Sequence, residues 1–140
     1  LDLLEKTFII KKVGGFSRNL RKEVVKTARY FFWDNGIRNA LINNFNPIGQ
    51  RNDLGMLWEN FLYMERLKTK SYKRIFANDY FWRTYDRQEI DLVEERDGKL
   101  YAYEFKWKPQ KVKAPKAWAD AYPGSEFQVI SKENFLEFLI

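Results

Sequence analysis

The 140-residue chain contains neither cysteine nor histidine. The first absence excludes disulfides and a thiolate nucleophile. The second removes the imidazole of a Ser-His-Asp triad, and together they exclude a Cys/His zinc site. No G-x-x-x-x-G-K-[ST] phosphate loop occurs, so no ATP site of that kind resides here. No apolar run approaches the ~20 residues of a membrane-spanning helix, and the opening residues do not read as a charged-then-apolar signal segment; a soluble, cytoplasmic protein without a membrane partner is expected. Proline and glycine are few, 4 and 7, and they mark breaks: Gly14-Gly15, Pro47 with Gly49, Asp97-Gly98, Pro109 with Pro115, and Pro123-Gly124. The first residues, beginning at Leu1, read as the middle of an element, as in a piece of a longer chain.

What is present is a core and a positive charge. A content of 45% hydrophobic and 18% aromatic residues supports one globular domain. A net charge of +6 with a pI near 9.4 favours a polyanionic partner. With histidine and cysteine gone, the chemistry left is that of carboxylates and oxygen-ligated metals.

The segment from Glu89 to Trp107 organises the rest. Two alternating runs flank Asp97-Gly98, a dipeptide suited to a two-residue turn because both residues tolerate positive φ. That turn sets Asp91 opposite Glu104 and Glu89 opposite Lys106. One face then carries Glu89, Asp91, Glu104 and Lys106, and the other Ile90, Leu92, Tyr101, Tyr103 and Phe105. Two carboxylates about 5 Å apart repel by roughly 3 kcal/mol at an effective dielectric of about 20. A divalent cation, a lysine such as Lys106, or a shared proton must neutralise them.

In chain order, a helical turn at 1–6 precedes β-rich runs at 7–13 and 28–33, which form a small front hairpin around a basic stretch at 18–26. A short helix comes next near Ile37 to Asn44, then a loop to Asn52. Leu54, Leu57, Trp58, Phe61, Leu62 and Glu65 obey the i, i+3, i+4, i+7 rule behind Asp53 as N-cap, predicting a helix over 53–68 with Glu59 on the flank of its apolar stripe. Runs at 71–76 and 79–84 are β-rich. Beyond the hairpin come a helix at 114–122, a strand at 126–130 and a last helix capped by Ser131. The aromatics at Phe31, Phe32, Trp33, Tyr80, Phe81 and Trp82 fall in strand runs and read as core.

A helical glutamate, an aspartate on a strand and E-x-K on the next strand, within an α-β-β-β-α-β order, resemble the PD-(D/E)XK nuclease superfamily. The residues are Glu59 in G-M-L-W-E-N-F, Asp91 in Q-E-I-D-L-V, and Glu104 with Lys106 in Y-E-F-K. More narrowly, W-R-T-Y-D-R-Q-E-I-D-L-V with the later Y-E-F-K is similar to the C-terminal domain that comes after the ATP-binding domain in prokaryotic AAA-type ATPases. The resemblance implies an α/β, restriction-endonuclease-like fold with a central mixed sheet over 36–140, preceded at 1–35 by the end of a winged-helix-like linker. It implies Asp91 and Glu104 as ligands of Mg²⁺ or Mn²⁺, Glu59 and Lys106 as further catalytic residues, DNA as substrate, and an upstream ATPase domain as partner. Here the superfamily's proline is absent, since Glu89-Ile90 precede Asp91.

Lys108, Lys111, Lys113 and Lys116 lie beyond the hairpin and suit phosphate contacts, although a charge run also makes a solvated loop. Two functions are therefore expected as rivals: a Mg²⁺-dependent deoxyribonuclease, or an inactive nuclease-fold module that binds nucleic acid or a partner protein for the ATPase. For the hairpin the plain alternative is a surface ladder with cross-strand ion pairs, Glu89 with Lys106 in particular.

Overall fold

The computed structural model describes residues 1–18 and 23–140. Six strands form one mixed sheet in the order β2-β1-β3-β4-β5-β6, with β1 at Ile10–Gly15, β2 at Ala28–Phe32, β3 at Asn78–Arg83, β4 at Glu89–Arg96, β5 at Lys99–Phe105 and β6 at Glu126–Ile130. The helices are α1 (Asp2–Lys6), α2 (Asn35–Leu41), α3 (Leu54–Lys73), α4 (Lys116–Ala121) and α5 (Phe135–Leu139). From α3 onward the order is α-β-β-β-α-β-α, as the sequence predicts. The fold class is α/β. Residues 1–35, expected as a linker piece, contribute β1 and β2: β1 pairs antiparallel with β2 and parallel with β3. The basic stretch at 18–26 lies partly outside the described residues. No helix of the described residues is long and apolar enough to cross a membrane.

Apolar residues divide between two cores, one on each face. Val13, Phe31, Phe81, Leu92, Tyr103 and Phe105 pack with Trp58, Leu62, Tyr63 and Phe138 of α3 and α5. Trp82, Ile90, Val93, Leu100 and Ala102 pack with Phe16, Trp118 and Tyr122, on the side of α4. At Gly15 a Cβ would meet the Val24 carbonyl oxygen at 2.5 Å, so this close approach of the backbone requires glycine.

The β4–β5 hairpin has the predicted register, from Leu92↔Tyr103 to Arg96↔Lys99, closed by Asp97 at φ 48° and Gly98 at φ 74°. A bulge on the other side of β4 interrupts the expected alternation of its side chains. Between Tyr80↔Val93 and Trp82↔Ile90 the chain advances two residues on β3 and three on β4. Ile90, expected on the face of Leu92, therefore joins Val93 in the opposite core, because an extra residue reverses the alternation.

Helix α3 runs five residues further than predicted, into the β-rich run expected at 71–76, and ends at Arg74 in the left-handed conformation, φ 54°. Tyr72 and Phe76, the residues that suggested a strand, stay exposed. What holds the extra turns is charge. Arg66 donates to both oxygens of the fully buried Glu94 at 2.9 and 3.0 Å, and Lys70 lies 3.3 Å from Glu94 and pairs with Asp79. Arg66 also donates to the Phe138 carbonyl at 2.7 Å and Thr69 to that of Leu139 at 2.7 Å, which ties α5 to α3. Two expected caps take other roles. Asp53 stands at the N-cap position of α3, but its carboxylate accepts from Arg38 at 2.7 Å and Arg51 at 2.8 Å rather than from helix amides. The residue at the N-cap position of α5 is Asn134, whose Oδ1 accepts from the Ser131 amide at 2.8 Å.

Out of reach of water, Glu94 depends on these cations for its charge. Removing one member of a buried pair leaves its partner uncompensated, so Glu94→Gln should lower unfolding stability by about 3–5 kcal/mol, measured from urea midpoints. Arg66→Met should cost less, because Lys70 and Arg96, each at 3.3 Å, still face Glu94.

Candidate functional site

At the edge of the α3-side core the strands β4 and β5 part. The ladder stops at Leu92↔Tyr103, and beyond it the Asp91 side chain takes over the pairing: its Oδ2 accepts from the Phe105 amide at 2.8 Å. This carries Asp91 to the end of β5, where the Lys106 ammonium lies 2.6 Å from Glu104 Oε1. Glu59, in the second turn of α3, points to the same place. The structure thus brings Glu59, Asp91, Glu104 and Lys106 together. The cross-strand pair expected between Glu89 and Lys106 is not formed; Glu89 turns to Arg29 and, at 3.8 Å, to Arg83.

Arg29, outside the residues that the sequence motifs point to, is the centre of the cluster. Its Nη1 donates to Glu59 Oε1 at 2.8 Å and Asp91 Oδ1 at 3.1 Å, and its Nη2 to Glu89 Oε2 at 2.5 Å. The guanidinium lies 5.2 Å from the centre of the Phe81 ring of β3, a cation–π seat on the way from the edge strand β2 to β4. A signal existed in the sequence: Arg29 and Phe31 alternate onto one face of β2, and Phe31 is buried in the α3-side core. An arginine on the inward parity of a strand needs carboxylate partners.

The electrostatics arise from four carboxylates, Glu59, Glu89, Asp91 and Glu104, facing the cations Arg29 and Lys106. Burial, then the Asp91 charge, push the Glu59 carboxyl up to about 7 against the pull of Arg29. Burial and Asp91 raise Glu104 likewise, with Lys106 opposing. Burial works to lower Lys106, but Glu104, Asp91 and Glu59 outweigh it and hold the ammonium above its ordinary value.

Two family models match the chain. Residues 54–136 match DUF4143, described as a domain of unknown function. The chain belongs to this family. Residues 1–48 match DUF8612, also described as a domain of unknown function. The chain is 27% identical over 110 residues to an uncharacterized protein of Mycobacterium bovis and, equally, to one of Mycobacterium tuberculosis; the match covers 76% of this chain and 24% of each relative. It therefore spans about a quarter of the length of the curated relatives it matches. No solved structure matches it. Glu59, Asp91, Glu104 and Lys106 all lie in the DUF4143 region, and Arg29 comes from the DUF8612 region, so the cluster is assembled from both.

As arranged, the DUF4143 carboxylates do not fit the divalent ion that the resemblance implies. Mg²⁺ requires several oxygen donors in near-octahedral array. Both Asp91 oxygens are engaged, one by Arg29 and one by the Phe105 amide, and Lys106 holds Glu104 Oε1. Glu104 Oε2 alone in this group is buried without a hydrogen-bond partner among the described residues. No group of three His, Cys, Asp or Glu among the described residues is disposed to hold a metal. Arg29 supplies the positive charge. The lysines Lys108, Lys111, Lys113 and Lys116 are exposed and enter no ion pair among the described residues.

A carboxyl raised in the folded state contributes stability that is fully present below its ordinary value and lost as pH rises through the folded one. For Glu59 the window runs from 4.5 to about 7, and Glu104 adds in the same direction. The melting temperature should fall across that interval, and Glu59→Gln should flatten the fall; a pH series of thermal melts reads both.

Proposed function

We propose that the chain is a PD-(D/E)XK-like module of a longer prokaryotic AAA-type ATPase, and that it serves that ATPase by binding DNA without cleaving it. The observation that carries this reading is Arg29: one guanidinium bonds Glu59, Glu89 and Asp91 together where a hydrolytic centre needs free carboxylates. DNA as the ligand rests on the +6 charge and on the four exposed lysines that come after the site. Phosphate contacts of this kind supply affinity through counterion release. The AAA-type ATPase as partner rests on the resemblance of W-R-T-Y-D-R-Q-E-I-D-L-V and Y-E-F-K.

A second reading, Mg²⁺-dependent hydrolysis of DNA, is favoured by the partnerless Glu104 Oε2 beside Lys106 and by the surplus of carboxylates. It requires Arg29 to leave. Supercoiled-plasmid cleavage and thermal melting with millimolar Mg²⁺ or Mn²⁺ separate the two. A ligand that binds only the folded state stabilises it by RT ln(1 + [L]/Kd). On the binding reading the wild type retards plasmid without nicking it, and neither cation raises its melting temperature. Nicking that depends on the cation and disappears in Lys106→Ala would overturn that reading and install the hydrolytic one. Arg29→Lys keeps the charge and serves as a folded control for Arg29→Met, in which the carboxylates lose their cation.

A further inference from the structure

Between α2, the loop at 42–53 and the first turns of α3 lies a cavity of about 350 Å³. Its walls are apolar and amide in character: Trp58, Phe61 and Trp107 supply rings beside three aliphatic side chains, and Asn35, Asn39 and Asn46 supply hydrogen-bonding edges. Trp58 and Phe61 are stacked at 5.7 Å between centroids, and Trp107 meets Trp58 edge-on at 5.4 Å. Arg51 forms a rigid frame: its side chain, 2% exposed, is held by the Asn44 carbonyl, Asn39 Oδ1 and Asp53.

Two wall residues carry unmet hydrogen bonds. The Trp58 indole N–H, in a residue 8% exposed, and Asn35 Oδ1 are buried and have no partner among the described residues. Buried donors and acceptors are almost always paired, and both residues belong to the walls of this one cavity, although neither atom is open to it as the side chains stand. The Asn35 amide nitrogen is already committed to the Leu57 carbonyl at 3.0 Å, which fixes the orientation of its oxygen.

Two lysines accompany the Trp107 wall. The Lys132 ammonium sits 4.7 Å from the centre of the Trp107 ring, and Lys108 adjoins Trp107 in the chain and is exposed. A planar heterocycle with donor and acceptor edges, attached to phosphates, matches rings, amides and lysines at once.

We propose that this cavity takes one unstacked nucleobase of a single-stranded nucleic acid, with the flanking phosphates on Lys108 and Lys132. The inference rests on the DNA-binding reading above and adds what is bound and where. Aromatic stacking reads any base by its π-face, while the amides of Asn39 and Asn46 engage its hydrogen-bonding edge.

The test is fluorescence anisotropy with a short labelled oligodeoxyadenylate and an abasic strand of the same length and charge. The base-bearing strand should bind roughly 5- to 150-fold tighter, the range expected for one stacked base, and should quench tryptophan fluorescence. Trp107→Ala should abolish this preference and Trp107→Phe restore much of it. Phe61→Ala, at a half-open position of the wall, gives a second variant should Trp107→Ala fold poorly. Lys108→Ala should weaken both strands alike and flatten the salt dependence by about one unit of log–log slope. Equal binding of the two strands, with the lysine effect intact, overturns the base pocket and leaves DNA binding standing; no binding of either strand overturns the base pocket, and retardation of duplex plasmid then decides the DNA-binding reading by itself.

Discussion

A carboxylate removed from water needs a cation close by, and α3 lies over the sheet on two such pairings. At its middle Arg66 grips Glu94 in the centre of β4, and near its start Glu59 shares Arg29 with Asp91 and Glu89. Hydrophobic packing of Trp58, Leu62 and Tyr63 supplies the bulk of the contact but is tolerant of small shifts in position. The ion pairs are not: arginine and carboxylate meet in a fixed geometry, and an unpaired buried charge costs several kcal/mol, about 3–5 by mutational measure. The helix is thereby registered along the sheet and rotated so that Glu59 faces the gap between β4 and β5.

That gap is itself a product of the bulge in β4. An extra residue before Val93 sends Ile90 to the far core and frees Asp91 from the ladder, and its carboxylate then satisfies the Phe105 amide that the missing ladder bond leaves over. One local irregularity thus provides both the opening and the acid at its rim. The arginine that fills the opening arrives from β2, in the part of the chain matched by a second family model, so the charge state of the DUF4143 carboxylates depends on the residues before them. This coupling gives the front hairpin a role in the site as well as in the sheet.

Much of this was legible in advance. The Asp97-Gly98 turn fixed the hairpin register, the apolar spacing located α3, and E-x-K with the carboxylates of Asp91 and Glu59 named the residues that converge. Misreadings arose where local preference met a tertiary contact. Tyr72 looks like strand, yet Arg66, Thr69 and Lys70 anchor the helix past it. Asp53 looks like a cap, yet Arg38 and Arg51 claim its oxygens. Arg29 looked like one basic residue among many, and only its inward parity beside Phe31 marked it out.

By itself the sequence determined the excluded chemistries, the order of elements from α3 onward, the pairing of β4 with β5 and the acidic character of their far ends. Those depend on composition, periodicity and a turn that only certain dihedral angles allow, all of which act over a few residues. Tertiary structure alone decided which cation meets the carboxylates, on which face Ile90 lies, and that Trp58, Asn35 and Trp107 enclose one cavity. Each of these depends on groups far apart in the chain, whose approach is set by how sheet, bulge and helix pack rather than by any spacing along it.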